Sequence, residues 1–446
     1  MASRLARVSP ARACAFAVVR RVFEHGAYAD RAFAAAAAGL DERDRALAMR
    51  LTYGTVQRRL TLDHFARSLV HRPLAGLEPP VLAGLRLGLF QILFLSAAAH
   101  AAVHETVELV KAESPGGAGL VNAVLRRAVP AAPELLGSLS DATVADAAVA
   151  HSVPPWLTSL WWQELGATEA RALLAQVNEP SETALRVNAL RASVTEVRDE
   201  LPVAAHGAPE LPEALVLGGP FDVAGSSLFA RGAVMPQSRA SMLVARALAP
   251  EPGHAVLDLC AAPGAKTTHL AALMEDRGSL VAVERHPGRA RALGQTCRRM
   301  GAGCAEVRVE DARALTTEPR FDRVLLDPPC SGLGTLQSRP DRRWRASEQA
   351  ISELAELQAA LLRVAAGATR PGGSLVYSVC TISRREASDV VDAFLETASA
   401  WRAHELGDRY PQWRAAGHGR YLQLLPHRDG TDGFFIARLD RAAQGE

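Results

Sequence analysis

Val324-Leu325-Leu326-Asp327-Pro328-Pro329-Cys330-Ser331-Gly332 decides how the chain is read. Its apolar residues predict a buried strand, and the two prolines, which cannot donate to a sheet ladder, end that strand abruptly. The acid Asp327 and the thiol of Cys330 are left at a strand's carboxyl end, where open α/β sheets hold ligands. A second run, Ser374-Leu375-Val376-Tyr377-Ser378-Val379, ends in Cys380-Thr381. Two cysteines at two strand ends, downstream of a glycine-containing loop, point to chemistry at carbon.

Outward from this pair the pattern alternates steadily from about residue 232. Strands are predicted at 255–259, 280–283, 306–309 and 321–326, with helices at 266–274, 288–300, 347–366 and 384–398. The runs Leu422-Gln423-Leu424-Leu425 and Gly433-Phe434-Phe435-Ile436-Ala437-Arg438-Leu439 predict a closing antiparallel pair. Such alternation argues a doubly wound, mainly parallel sheet covered by helices.

The first strand-to-helix turn of this region is Asp258-Leu259-Cys260-Ala261-Ala262-Pro263-Gly264-Ala265-Lys266-Thr267-Thr268. It matches neither the Walker loop nor the dinucleotide fingerprint, which argues against a phosphate cradle. Its small residues let amides at the helix N-terminus approach a carboxylate. Lysine occurs only here, at Lys266, and at Lys111. Glu284 ends the second strand, where an acid can accept from both ribose hydroxyls; Asp311 ends the third, within reach of an adenine edge, and Asp327 the fourth. One acid per strand end fits a nucleoside-amino-acid ligand such as S-adenosylmethionine better than a pyrophosphate.

Cysteine suits one reaction of such a ligand. Cytosine C5 is a poor nucleophile, but a thiolate added to C6 makes C5 enamine-like and able to take an electrophilic methyl group. The scheme needs a nucleophilic cysteine, an acid near N3 of the base, and a group assisting elimination or release. Cys380, Asp327 and Cys330 supply these, although spacing alone leaves open which cysteine attacks.

Residues 1–130 read as all-helical. Ala13, Phe16, Ala17, Val19, Val22 and Phe23 repeat at helical spacing, and Gly84 and Gly88 in the run at 82–93 are expected to permit close packing. A Pro- and Ala-rich stretch, Val129-Pro130-Ala131-Ala132-Pro133, separates this part from residues 150–231, which predict a small α/β connector with strands at 183–188 and 215–217. Trp161 and Trp162 fall at core spacing. The expected division is 1–135, 150–231 and 232–446.

The bulk numbers are compatible with this. In 446 residues, 48% hydrophobic content and 22% charge describe a globular chain with ample core, and the net charge of +2 leaves room for a local basic patch. Six cysteines without a CxxC pair fit free thiols and a reducing, cytoplasmic setting; no metal-ligand pattern, signal peptide or membrane span is read, and a monomer is expected.

Tyr53-Gly54-Thr55-Val56, Leu89-Phe90-Gln91-Ile92-Leu93 and Val121-Asn122-Ala123-Val124-Leu125-Arg126-Arg127 resemble the helical RNA-binding fold of the NusB antitermination factor. That resemblance implies RNA contact through arginines such as Arg12, Arg126 and Arg127. Residues 258–268, Asp327-Pro328-Pro329-Cys330-Ser331-Gly332 and Tyr377-Ser378-Val379-Cys380-Thr381 resemble the RNA cytosine-5 methyltransferases of the NOL/NOP2/Sun family. With the NusB-like part, the chain is similar to the bacterial Sun (Fmu) branch, which methylates 16S ribosomal RNA. The resemblance implies that Cys380 is the nucleophile and that Cys330 assists product release. It implies that S-adenosylmethionine is held by Cys260, Ala261, Ala262, Pro263, Gly264, Ala265, Lys266, Glu284, Asp311 and Asp327. The family's Gln-Asp-x-x-Ser element is matched by Gln237 and Ser241, and its Gly-Phe-Phe by Gly433-Phe434-Phe435. Three departures stand out: Ala265 replaces a glycine and is expected to keep φ negative, Ser238 replaces an aspartate, and Val379 replaces a threonine. Arg339, Arg342, Arg343 and Arg345 around Trp344 are expected to form a phosphate-and-stacking surface. The alternatives are a transfer RNA cytosine-5 methyltransferase, or a NusB-like assembly factor without turnover.

Overall fold

The computed structural model describes residues 8–95, 98–316 and 318–443, without the side chain of His418; Arg4 and Arg7 lie outside the described residues. The chain forms two compact units, Met1–Glu179 with Leu336–Ala346, and Pro180–Thr335 with Ser347–Glu446.

The first unit is helical. Its long elements are Pro10–His25, Glu42–Gln57, Arg59–Leu69, Pro79–Phe94, Ala99–Glu113 and Ala118–Gly137. Asp41 caps the second of these by accepting from the Asp44 amide at 2.8 Å, as its position before the apolar run predicts. Pro79–Phe94 is the central helix: Leu85, Leu87 and Leu89 are all fully buried, so it is enclosed on every side. Each such leucine contributes about 1.5–3 kcal/mol of burial. A Cβ on Gly84 would overlap Val110, and one on Gly88 would overlap Leu125, so both glycines do allow neighbouring helices to close in. Arg86, also buried, is held bidentately by Asp63 at 2.7 and 2.8 Å. Trp161 is fully buried core.

Two expectations fail in this unit. The Pro130–Pro133 stretch does not break the chain; both prolines lie inside Ala118–Gly137. The helix continues because Val129, Ala132, Leu135 and Leu136 pack on the same hydrophobic core as Leu125 and Ala128, and that packing outweighs the cost of interior proline. The arginine-rich segment after the Cys330 loop is part of this helical unit, and two members of the expected phosphate-and-stacking surface, Arg343 and Trp344, are taken up inside it, while Arg339 and Arg345 are exposed. Arg343 is fully buried, donating to the carbonyls of Ser152 (3.2 Å) and Val177 (3.1 Å) and to Asn178 Oδ1 (2.9 Å). Trp344 Nε1 donates to the Val56 carbonyl at 2.8 Å, and Arg345 donates to that of Gly26 at 2.9 Å. Composition indicates a basic loop; only the fold shows that Arg343, Trp344 and Arg345 donate to backbone carbonyls.

The second unit carries two sheets. The smaller consists of β1 (Ala184–Val187), β2 (Ala205–Ala208), β3 (Leu211–Leu217) and β4 (Val234–Pro236), antiparallel in the order β2-β3-β1-β4. The larger sheet takes β5 (Ala255–Leu259), β6 (Ser279–Val283), β7 (Ala305–Arg308), β8 (Phe321–Leu326) and β9 (Thr369–Val379) in parallel. To these β10 (Trp401–Ala403), β11 (Arg414–Ala415), β12 (His418–Leu424) and β13 (Phe434–Arg441) add antiparallel pairings. Its order is β11-β12-β13-β9-β8-β5-β6-β7, with β10 on β13. This is the Rossmann-like, mainly parallel architecture that the alternation predicts, with the closing pair at β12 and β13. The short strands β10 and β11 carry too little apolar pattern to be read in advance. Among the described residues no helix is long and apolar enough to cross a membrane.

Candidate active site

Register builds the site. Leu259 pairs with Val283 and with Leu326, and Leu326 pairs with Tyr377; β5, β6 and β8 end at this level, while β9 runs on to Val379. The next residue of each strand is Cys260, Glu284, Asp327 or Ser378, which stand in one row across the sheet's carboxyl edge. Cys380 follows Ser378 by two positions on β9's exit.

At the β5 end the chain turns through Cys260 at φ 64° and Gly264 at φ 104°, with a cis peptide before Pro263. A non-glycine residue with positive φ is uncommon and concentrates at functional turns. A Cβ on Gly264 would lie 2.8 Å from a Leu293 methyl, so that glycine also seats the helix Ala265–Leu273 against its neighbour. Ala265 is the first residue of that helix and keeps negative φ. Thr267 donates to Asp258 Oδ2 at 2.6 Å. Burial pushes the Asp258 carboxyl up to about 7 against that hydrogen bond, so this acid braces the turn and does not face a ligand. Burial, aided by Asp327, Asp258 and Glu284, pushes Cys260 up to about 12, an inert thiol.

Lys266 Nζ reaches Asp327 Oδ2 at 2.9 Å and lies 5.2 Å from the centre of the Phe434 ring. Burial alone would lower this ammonium, but the Asp327 charge and hydrogen bond, with help from Cys380, leave it raised. Ser378 Oγ donates to the other Asp327 oxygen at 2.9 Å, fixing the carboxylate in the strand row. Glu284 is almost completely buried, accepting from the His286 amide at 2.9 Å with Arg289 at 3.3 Å. Asp311 lies three residues beyond β7, where it caps a short turn and pairs with Arg313 at 2.6 Å. That bond and the Arg313 amide hold its carboxyl down at about 2.

The two cysteines meet: Cys330 Sγ and Cys380 Sγ are 3.4 Å apart, and both are free thiols. The hydrogen bond to Cys380, burial, and the charges of Cys380, Glu386 and Asp327 push Cys330 well up, so it keeps its proton at neutral pH. The Gly-Phe-Phe element explains itself here. Gly334 N donates to the Cys380 carbonyl at 3.0 Å and Gly433 N donates to the Gly334 carbonyl at 2.8 Å. A Cβ on Gly433 would lie 2.9 Å from Gly334 Cα, so only glycine lets the two backbones pass.

Gln237 gains a role through a residue the sequence did not flag. Arg186 of β1, fully buried, donates to Gln237 Oε1 at 2.8 Å, to Thr268 Oγ1 at 2.8 Å and to the Ala265 carbonyl. Gln237 in turn donates to Ser241 at 3.2 Å. Burial pushes Arg186 down to about 9, which still leaves it charged. Ser238 makes no capping hydrogen bond with its side chain. Of the NusB-like arginines, Arg12 is occupied internally by Gln91 (2.6 Å) and Glu105 (3.1 Å). Arg126 and Arg127 are exposed.

The donor set suits S-adenosylmethionine. The buried Glu284 carboxylate can accept hydrogen bonds from a ribose diol, and the helix N-terminus one strand away attracts an amino-acid carboxylate.

Known proteins resemble the chain along most of its length. A profile described as 16S rRNA methyltransferase RsmB/F matches residues 245–440, the NusB family matches 9–130, and an RsmF/B-like ferredoxin-like domain matches 153–224. A probable ribosomal RNA small subunit methyltransferase B of Synechocystis is 36% identical, covering 97% of this chain and 99% of its own. That of Bacillus subtilis is 35% identical, over 90% and 91%. A crystal structure of PH0851 superposes with a TM-score of 0.81 at 27% identity, covering 97% of this chain and 99% of that one.

Proposed function

The chain belongs to the 16S rRNA methyltransferase RsmB/F family, S-adenosylmethionine-dependent enzymes acting on small-subunit ribosomal RNA, and on that premise we propose that it methylates C5 of a cytosine in 16S RNA through a covalent cysteine adduct. The observation that carries this reading is the pair of sulfurs 3.4 Å apart beside the Lys266–Asp327 ion pair. Cys380 Sγ adds to C6 of an unstacked cytosine, forming the S–C6 bond and moving electron density to C5. Lys266 favours the thiolate by its charge. Asp327, held on both oxygens, faces the N3 edge of the base. When bound, S-adenosylmethionine supplies an electrophilic methyl group. Once C5 carries the methyl group, its proton passes to a solvent water, the C–H electron pair forms the C5–C6 double bond and the S–C6 bond breaks to release the Cys380 thiolate; Cys330, still protonated, donates a hydrogen bond to that departing thiolate. The cofactor would be held by residues 260–266, Glu284, Asp311 and Asp327. As working parts we take 1–135 as the RNA-binding domain, 150–231 as the connector and 232–446 as the methyltransferase.

The test is transfer of labelled methyl from S-adenosylmethionine to separated ribosomal and transfer RNAs, with the modified base identified. 5-Methylcytosine in 16S RNA is expected. Label in transfer RNA would overturn the substrate, and cofactor binding without label in either would favour an assembly factor.

A further inference from the structure

We propose that Glu386 is a positioning residue that holds the two cysteine loops together, so that both sulfurs address one base. The inference rests on the reading of Cys330 and Cys380 as the reacting pair. Glu386 sits in a short turn after Cys380, and its side chain is fully buried. Its Oε1 accepts from the Ser331 amide at 2.8 Å and from Gln358 Nε2 at 3.1 Å. Its Oε2 accepts from the Ser331 hydroxyl at 2.5 Å, with the Thr381 hydroxyl at 3.3 Å. Ser331 gives its one hydroxyl proton to the carboxylate and so accepts from Thr381, 2.8 Å away. Ser331 follows Cys330, and Thr381 follows Cys380. One carboxylate therefore grips the residue next to each sulfur.

The surroundings extend the clamp. Gln358 Nε2 also donates to the Pro329 carbonyl at 2.9 Å, and the Tyr377 hydroxyl donates to the Glu386 carbonyl at 2.6 Å. Both bonds end beside a cysteine loop. The groups that donate to Glu386, the Ser331 amide and hydroxyl and the Gln358 side-chain amide, are all neutral, an expensive way to bury a carboxylate. A helix cap could be built more cheaply from a serine. The cost makes sense if an acceptor-only group with two fixed oxygens is needed between two loops that otherwise meet through the thiols, one backbone hydrogen bond from Gly334 to Cys380 and the Ser331–Thr381 hydroxyl contact.

Glu386→Gln keeps size but turns one oxygen into a donor facing donors. The expected result is a ten- to hundredfold loss of kcat with KM for RNA and affinity for S-adenosylmethionine within twofold of wild type. A readout independent of methylation is oxidation by diamide: two thiols give up two protons and two electrons to its azo bond as the S–S bond forms. Mass spectrometry of the peptide joining Cys330 to Cys380 follows its rate. Wild type should couple rapidly and Glu386→Gln at least tenfold more slowly. If Glu386→Gln does not fold, Ser331→Ala takes its place, with a loss in the same direction. Unchanged coupling in a folded variant, or full kcat per folded molecule with only a lowered Tm, would overturn the proposal. Coupling that depends on Glu386 in a chain that methylates nothing would preserve the clamp and sink the proposed function instead.

Discussion

At the scale of residues, the two cysteines differ in their surroundings. Cys330 is kept protonated by its partner and by burial, whereas Cys380 emerges beside Lys266. Cys380→Ala should therefore reduce methylation more than a thousandfold, and Cys330→Ala should leave a protein–RNA adduct stable on a denaturing gel. An adduct from Cys380→Ala instead would exchange the roles. Asp258 gives a second prediction. Folded, it keeps its proton up to about pH 7; unfolded, it releases it at about pH 4. Between those values the unfolded chain binds fewer protons, so stability falls as pH rises. Asp258→Asn still accepts from Thr267 and should flatten that fall; parallel slopes of Tm against pH from 4 to 7 would refute the assignment. The positions of Cys260, Glu284 and Asp327 at strand ends were legible because each follows an apolar run; Asp311 lies three residues beyond β7, whose Ala305-Glu306-Val307-Arg308 sequence carries no such run. Arg186, Gln358 and Glu386 were not, since each is a polar residue in an ordinary-looking helix, strand or turn. Only tertiary contact distinguishes them from a solvated side chain.

At the scale of elements, β13 does more than close the sheet. Its start brings Gly433 against Gly334 and Phe434 over Lys266, joining the antiparallel edge to the Cys380 exit. Gly433→Ala must push Gly334 or Ile382 aside, the nearest atoms standing 2.9–3.1 Å from the added Cβ. Overpacking of this kind costs about 1–3 kcal/mol. We expect kcat to fall at least tenfold and the urea midpoint to drop with it; wild-type kcat would show that the loop relaxes freely. Strand and helix periods made most elements readable. The failures came where packing contradicts local chemistry: Pro130 and Pro133 continue a helix whose apolar face is already seated, and β4 joins the connector's sheet through only three residues.

At the scale of the whole molecule, the chain forms two compact units, and one buried ion pair allows the proposed division of work between them to be tested. Asp63 and Arg86 are nearly inaccessible and bind each other through two hydrogen bonds inside the helical unit. Removing one partner strands the other's charge, which costs about 3–5 kcal/mol. That is a large fraction of what holds a domain of this size folded. Asp63→Ala should thus loosen the helical unit while the sheet edge carrying Glu284, Lys266 and Asp327 keeps its own core. S-adenosylmethionine affinity, measured by calorimetry, should stay within twofold. RNA affinity and kcat/KM for 16S RNA should fall more than tenfold, because the helical unit is proposed to bring the substrate. Retained RNA affinity in a helical unit shown by circular dichroism to be disrupted would move substrate recognition to the methyltransferase unit. Asp63→Asn sharpens the comparison: it keeps one hydrogen-bond acceptor for Arg86 but no charge, so its losses should fall between those of wild type and Asp63→Ala.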